Sequence, residues 1–227
     1  KLGSPNDFAR RYYQEGIDEI YYEDIVASLY ERNSILSIVE ATTHDVFVPI
    51  TVGGGLRSVH DVSAVLRSGA DKVAVNTAAI REPKIISQIA RTFGSQCVVL
   101  SIQAKKRTLG WEAYYDNGRE RSGLDALEWA KEGQQLGAGE IILTSVDREG
   151  TKKGFDVELV SEATSFLDIP VIVSGGMGTL EHLGGLVSEC QVDAVAMAHV
   201  LHYGTYSVNA IRDYCLGEGF PVRKVEA

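Results

Sequence analysis

One supersecondary pattern occurs twice in this chain. Pro49-Ile50-Thr51-Val52-Gly53-Gly54-Gly55-Leu56, then a helical stretch and Gly69-Ala70-Asp71-Lys72-Val73-Ala74-Val75-Asn76-Thr77, returns as Pro170-Val171-Ile172-Val173-Ser174-Gly175-Gly176-Met177, a helical stretch and Val192-Asp193-Ala194-Val195-Ala196-Met197-Ala198-His199. Each copy reads strand, glycine-rich turn, helix, strand. Gly16, Glu19 and Ile20 match Gly137, Glu140 and Ile141 at an offset of 121 residues, which also relates Gly54-Gly55 to Gly175-Gly176. One inserted residue then places Asp71 opposite Asp193. A long internal repeat restricts the fold to architectures built from copies of one unit.

Around the repeat, strand and helix patterns alternate. Strands are expected over 19–25, 46–52, 72–77, 97–103, 139–146, 170–174 and 192–198. Helices are expected from Phe8 to Gly16, after a cap at Ser34, and over 58–68, 83–93, 124–136, 156–166, 179–189 and 207–217. Strict alternation implies a parallel sheet covered by helices. It pauses at 105–123, where Trp111-Glu112-Ala113-Tyr114-Tyr115 meets Asp116-Asn117-Gly118; Asn-Gly between strand-type residues signals a hairpin. The expected fold is a single (β/α)8 TIM barrel over 1–227, with half-barrel repeats at about 1–96 and 97–217. Such barrels typically need about 250 residues. The shortfall of one strand and its loop places the expected first strand upstream of Lys1.

Composition narrows the function. With 44% hydrophobic and 23% charged residues the 227-residue chain is an ordinary globular one. No apolar run approaches the roughly 20 residues of a membrane span, so a cytoplasmic protein is expected. A net charge of -9 argues against nucleic acid as the main partner. Cys97, Cys190 and Cys215 are far apart in apolar or helical contexts, which suits packed thiols.

Barrel active sites lie where strands run into helices. Glycine at such a turn lets backbone N–H groups approach an anion. Gly175-Gly176 with Ala198-His199 make one phosphate-like corner, and their repeat mates Gly54-Gly55 with Asn76-Thr77 make a second. A small-molecule bisphosphate is therefore the expected ligand, the bland alternative being glycines that serve only tight turns. At the other end, Glu19, Lys72 and Glu140 each open a strand. Buried charges must pair, so on spacing alone these three form a self-satisfied plug.

Thr144-Ser145-Val146-Asp147-Arg148-Glu149-Gly150-Thr151, Gly69-Ala70-Asp71-Lys72-Val73 with Asn76-Thr77-Ala78-Ala79, and Phe93-Gly94-Ser95-Gln96 resemble the cyclase subunit of imidazole glycerol phosphate synthase, over essentially the whole chain. The resemblance implies a lyase of histidine biosynthesis, acting in a heterodimer with a glutaminase that supplies ammonia. The substrate would be a two-phosphate ribulosyl aminoimidazole carboxamide, closed to imidazole glycerol phosphate. By resemblance, one phosphate would sit on Gly55, Asn76 and Thr77, and the other on Gly150, Gly176, Ala198 and His199, with Thr144, Asn117 and Gly118 near the substrate. Glu19, Lys72 and Glu140 would form an ammonia gate, completed in the family by an arginine on the first strand, and Asp71 would contact the glutaminase.

The resemblance also has departures. The family uses two aspartates as acid and base; the first belongs to the strand expected upstream, and the second falls on Gln103. A carboxamide cannot exchange a proton near neutral pH. That change suits a branch of the family encoded with surface-polysaccharide genes, whose barrel would pass ammonia to a sugar-modifying amidotransferase. This is the second reading, and the related phosphosugar isomerase of the same pathway is a third. No cofactor and no metal are expected: His199 and His202 have no third ligand by spacing, and His60 and His182 read as surface or cap residues. Lys105, Lys106, Arg107, Arg119 and Arg121 gather on the hairpin and would draw an anionic substrate to the mouth.

Overall fold

The computed structural model describes residues 2–25 and 34–224. Among them, one sheet holds β1 Ile20–Glu23, β2 Ile50–Gly53, β3 Lys72–Val75, β4 Val98–Lys106, β5 Trp111–Tyr115, β6 Glu120–Asp125, β7 Glu140–Ser145, β8 Val171–Ser174 and β9 Ala194–Ala196. The parallel strands follow the order β1-β2-β3-β4-β7-β8-β9, while β5 and β6 form an antiparallel hairpin on β4. The helices are α1 Pro5–Gln14, α2 Ser34–Thr42, α3 Val59–Arg67, α4 Thr77–Arg81, α5 Lys84–Phe93, α6 Ala126–Leu136, α7 Val157–Thr164, α8 Leu180–Glu189, α9 His199–His202 and α10 Val208–Gly217. The parallel strands curl into a barrel wall with helices outside, the architecture of the (β/α)8 class.

The repeat is visible in the bonding. Ile20 N–H donates to Pro49 O at 3.0 Å, as Ile141 N–H does to Pro170 O at 2.9 Å. Asp71 Oδ2 accepts from Ile50 N–H at 2.8 Å, and Asp193 Oδ2 from Val171 N–H at 2.9 Å. In both halves an aspartate just before one strand thus fixes the start of the strand before it.

Apolar packing works on both faces of this wall. Val52, Val73, Val75, Val98, Leu100, Ile141 and Val173 pack outward against helices, whereas Ala74, Val99 and Ile142 face the lumen with Tyr21 and Ile172. Each buried Val, Leu or Ile contributes about 1.5–3 kcal/mol. Helices follow their local signals: Ser58 Oγ accepts from Asp61 N–H at 3.2 Å ahead of α3, and Asp125 Oδ1 from Leu127 and Glu128 N–H at 2.9 and 3.0 Å ahead of α6. His182 Nδ1 accepts from Gly178 and Thr179 N–H at 3.2 Å, so this histidine is a cap, whereas His60 lies on α3. The helix expected after Ser34 begins at Ser34, whose side chain lies outside the described set.

Some expected boundaries are corrected. The strand expected over 46–52 starts at Ile50, because Val46 N–H still closes onto Thr42 O at 3.1 Å and Pro49 offers no donor. The strand expected over 72–77 stops at Val75, since Thr77 begins a short helix. β9 is cut to Ala194–Ala196 for the same reason, α9 starting at His199. β4 is longer than expected, because its upper end pairs with the hairpin.

Helices from the two ends of the chain meet. Arg11 Nη2 donates to Leu201 O at 3.0 Å, and the Tyr12 hydroxyl bonds His202 Nδ1 at 2.7 Å. Arg212, only 8% exposed, donates to Gly16 O at 2.6 Å, to Asp18 Oδ2 at 2.8 Å and to Arg223 O at 2.8 Å. Arg212→Ala is expected to lower the unfolding free energy by about 3 kcal/mol, since it strips a buried cation from three acceptors. Urea unfolding should show this as a lower midpoint, and Arg212→Lys should recover less than half, because a point ammonium cannot serve the same fork.

Candidate active site

The mouth at the C-terminal ends of the strands is shaped by the two glycine turns. Gly54 has φ 91° and its repeat mate Gly175 φ 95°. A Cβ on Gly54 would stand 2.2 Å from Asp24 O, and one on Gly175 3.0 Å from Ser145 O; Asp24 and Ser145 are themselves repeat mates. Gly55 and Gly176 also have positive φ, 69° and 106°, and a Cβ on Gly176 would lie 2.2 Å from Gly154 O. Both turns therefore demand glycine for conformation and for close backbone approach.

Around the first turn, Asn76 Nδ2 donates to Ser101 O at 2.9 Å and Tyr114 O at 3.1 Å, while Thr77 Oγ1 accepts from Asp116 N–H at 3.1 Å. Both expected phosphate-side residues thus touch the hairpin. Its tip takes positive φ at Asp116, Asn117 and Gly118, and Asn117 Nδ2 donates to Ile25 O at 2.6 Å, so the hairpin bridges from β4 to the loop after β1. Around the second turn, Gly150 has φ 71° with open space where a Cβ would stand. Ala198 precedes α9, and His199 stacks on Tyr203 with centroids 4.4 Å apart. His202 is engaged by Tyr12, and no group of three metal-ligating side chains occurs among the described residues.

Gln103 and Thr144 are register partners at the top of β4 and β7. The Gln103 Oε1 atom is buried without a hydrogen-bond partner, 3.8 Å from where a Gly118 Cβ would lie. Glu149, close to Gly175, has its carboxyl pKa raised by burial. Asp156 organises this side: it accepts from Ser145 Oγ at 3.1 Å, Trp111 Nε1 at 3.2 Å and Leu159 N–H at 3.3 Å, tying β7, the hairpin and α7 together.

The hairpin's basic residues are largely engaged. Buried Glu112 pairs with Arg107 and, at 3.4 Å, with Arg121, and accepts from Gly123 N–H at 3.0 Å. Lys106 Nζ meets Glu158 at 2.7 Å and lies 3.8 Å above the Trp111 ring, and Lys105 Nζ is 5.4 Å from the Tyr114 ring centre. Arg119 N–H closes the turn onto Tyr115 O at 3.2 Å.

At the opposite end, Lys72 Nζ sits 2.8 Å from Glu19 Oε2 and 2.7 Å from Glu140 Oε1, and Thr51 Oγ1 donates to Glu19 Oε1. Burial alone would lower the Lys72 pKa, but the hydrogen bonds and charges of Glu140 and Glu19 outweigh it, and the value is raised. Asp71 is exposed at this same end, holding Ile50 N–H. A separate cavity of about 330 Å³ lies beneath β8 and β9, lined by Leu167, Pro170, Val192 and Asp193, away from the mouth.

Residues 1–207 match the family of histidine biosynthesis proteins. The chain belongs to this family. It is 60% identical over 181 residues, 79% of its own length and 85% of the relative's, to an imidazole glycerol phosphate synthase subunit HisF of Legionella pneumophila. A subunit of the same name from Dehalococcoides mccartyi strain BAV1 is 48% identical over 221 residues, 97% of this chain and 87% of the relative. That of strain CBDB1 is likewise 48% identical over 221 residues. No helix among the described residues is long and apolar enough to cross a membrane.

Sequence reasoning missed Tyr21 and Glu23, which share the inner face of β1 with Glu19; the period-two alternation of the strand was the available signal. It also missed Asp156, whose partners are brought to it only by folding. Lys72→Met is expected to destabilise the protein by about 3 kcal/mol, by leaving Glu19 and Glu140 unpaired. A lysine whose folded pKa is raised stabilises fully at neutral pH and loses that contribution as pH rises through the folded value. The gap between wild type and Lys72→Met, followed by urea unfolding, should therefore stay constant at neutral pH and close only in strong alkali.

Proposed function

We propose that this chain is the cyclase subunit of imidazole glycerol phosphate synthase, a lyase that uses ammonia from a glutaminase partner to close a two-phosphate ribulosyl aminoimidazole carboxamide. The observation that carries the reading is the pair of glycine turns with matching backbone geometry on one mouth, Gly54-Gly55 and Gly175-Gly176. Two such turns suit a ligand with a phosphate at each end, and the names of the relatives from Legionella pneumophila and Dehalococcoides mccartyi agree with it.

In this reading Gly55, Asn76 and Thr77 take one phosphate, and Gly150, Gly176, Ala198 and His199 the other. Thr77 Oγ1 accepts from Asp116 N–H and donates only a long bond, 3.4 Å, to Asn76 Oδ1, so its hydroxyl proton can turn from that amide to an anion while the hairpin stays in place. Thr144, Asn117 and Gly118 frame the substrate between the phosphates. The Lys72, Glu19 and Glu140 ring passes ammonia upward, and exposed Asp71 beside it contacts the glutaminase.

The test is turnover of the bisphosphate substrate with ammonium salt, and with glutamine once a glutaminase subunit is added. Product formation in both assays is expected. Binding of the glutaminase without turnover would instead favour transfer of ammonia to another enzyme. Thr77→Val should weaken substrate binding about tenfold, for loss of one hydrogen bond to a charged group, and Gln103→Asp should raise ammonia-dependent turnover.

A further inference from the structure

Glu19, just before β1, and Tyr21 and Glu23 within it alternate onto the inner face, and only Glu19 belongs to the charged ring. Tyr21 lies across the lumen. Its ring packs with Ala74, Val99, Ile142 and Ile172, and its hydroxyl donates to Glu23. A Cβ on Gly53 would stand 2.5 Å from that hydroxyl, so the first glycine of the run makes room for the phenol.

Glu23 is thereby held at the top of the lumen, in register with Gly53 where the first glycine turn begins. The residue is exposed to solvent at the mouth, while protein atoms packed near its carboxyl desolvate it in part. Burial raises its pKa, and the Tyr21 hydrogen bond offsets only part of that. Among the described residues, the groups placed beside it are the Tyr21 hydroxyl from its own strand and the backbone at Gly53 from β2, while Ser101 and Gln103 alternate onto the inner face of β4. None of these is charged. Asp24 follows in sequence, and the Lys72 ring lies about 13 Å lower, four residues along the strand.

Chemistry at this mouth calls for proton exchange, which the Gln103 carboxamide cannot perform. We propose that Glu23, positioned by Tyr21, is a proton-exchanging residue of the mouth, and that Gln103 Oε1 only accepts a hydrogen bond from the substrate. For ammonia adding to a substrate carbonyl, nitrogen bonds to the carbon and the C–O bond breaks. Two protons pass from nitrogen to the departing oxygen, which leaves as water. One of them travels through Glu23, whose carboxyl gives a proton to the oxygen and regains one from the nitrogen, so the residue ends the cycle as it began.

The kinetic arm of the test rests on the cyclase reading, whereas the titration arm does not. Glu23→Gln should lower kcat of ammonia-dependent turnover about 100-fold or more, with KM for the bisphosphate substrate changed less than about threefold. Gln103→Asp added to that variant should restore turnover. Tyr21→Phe should move the Glu23-dependent limb of the pH profile to higher pH, since the lost hydrogen bond had lowered the carboxyl pKa, an effect a packing defect would not produce. Wild-type kcat and pH profile in Glu23→Gln would overturn the proposal. If the wild-type chain turns over no substrate at all, the cyclase reading fails, and carboxyl NMR titration of the folded wild type and Tyr21→Phe then decides. Glu23 titrating above ordinary glutamate, and higher still in Tyr21→Phe, supports the assignment; ordinary titration in both overturns it.

Discussion

The ammonium group of Lys72 holds carboxylates from two strands that are not its neighbours. Glu19 immediately precedes β1 and Glu140 opens β7, with β2 and β4 lying between them and β3 in the sheet order. In a flat sheet these side chains would not converge on one point. Their meeting requires the wall to curl, and Tyr21 of β1 packing against the cluster of Ala74, Val99 and Ile142 from β3, β4 and β7 makes the same demand one layer higher, since three strand spacings come to about 14 Å. The ion cluster is stable because Lys72 is 17% exposed and doubly paired. Half-buried charge left single would cost several kcal/mol.

The mouth depends on a different constraint, the approach of backbone to backbone at Gly54 and Gly175. Because both halves use the same turn against the same repeat-related carbonyls, the mouth has two similar ends. The hairpin breaks that symmetry. It is anchored by Glu112 between two arginines and by the Trp111 indole on Asp156, and its tip bonds the loop after β1. The hairpin thus adds contacts at Asn76 and Thr77, on the side of the first glycine turn.

Much of this was legible from residue order. The Asp71 and Asp193 correspondence becomes two equivalent hydrogen bonds, and the charged residues opening three strands become one cluster. Other features were not. Val46 and Val48 carry strand-type side chains, yet the bond of Val46 N–H to Thr42 O and the missing donor of Pro49 delay the strand to Ile50. Asn76 and Thr77 were expected to end the strand over 72–77, yet Thr77 starts a helix and Asn76 ties to the Ser101 and Tyr114 carbonyls. Asn117 was expected near the ligand, but its bond to Ile25 O spans a separation of 92 residues that no local pattern encodes.

Sequence by itself therefore determined the alternating strands and helices, the repeat, the positions where only glycine fits and the end of each strand that carries charge, because these follow from side-chain periodicity and local backbone sterics. Tertiary structure alone decided which of those residues meet. It put Tyr21 across the lumen against Ala74, Val99 and Ile142 with its hydroxyl on Glu23, left the Gln103 carboxamide oxygen without a partner beneath the hairpin, and gathered Lys72 between two distant glutamates. The physical reason is that curling a parallel sheet brings inner-face side chains of non-adjacent strands within hydrogen-bond reach, a proximity set by the radius of the wall and not by any spacing along the chain.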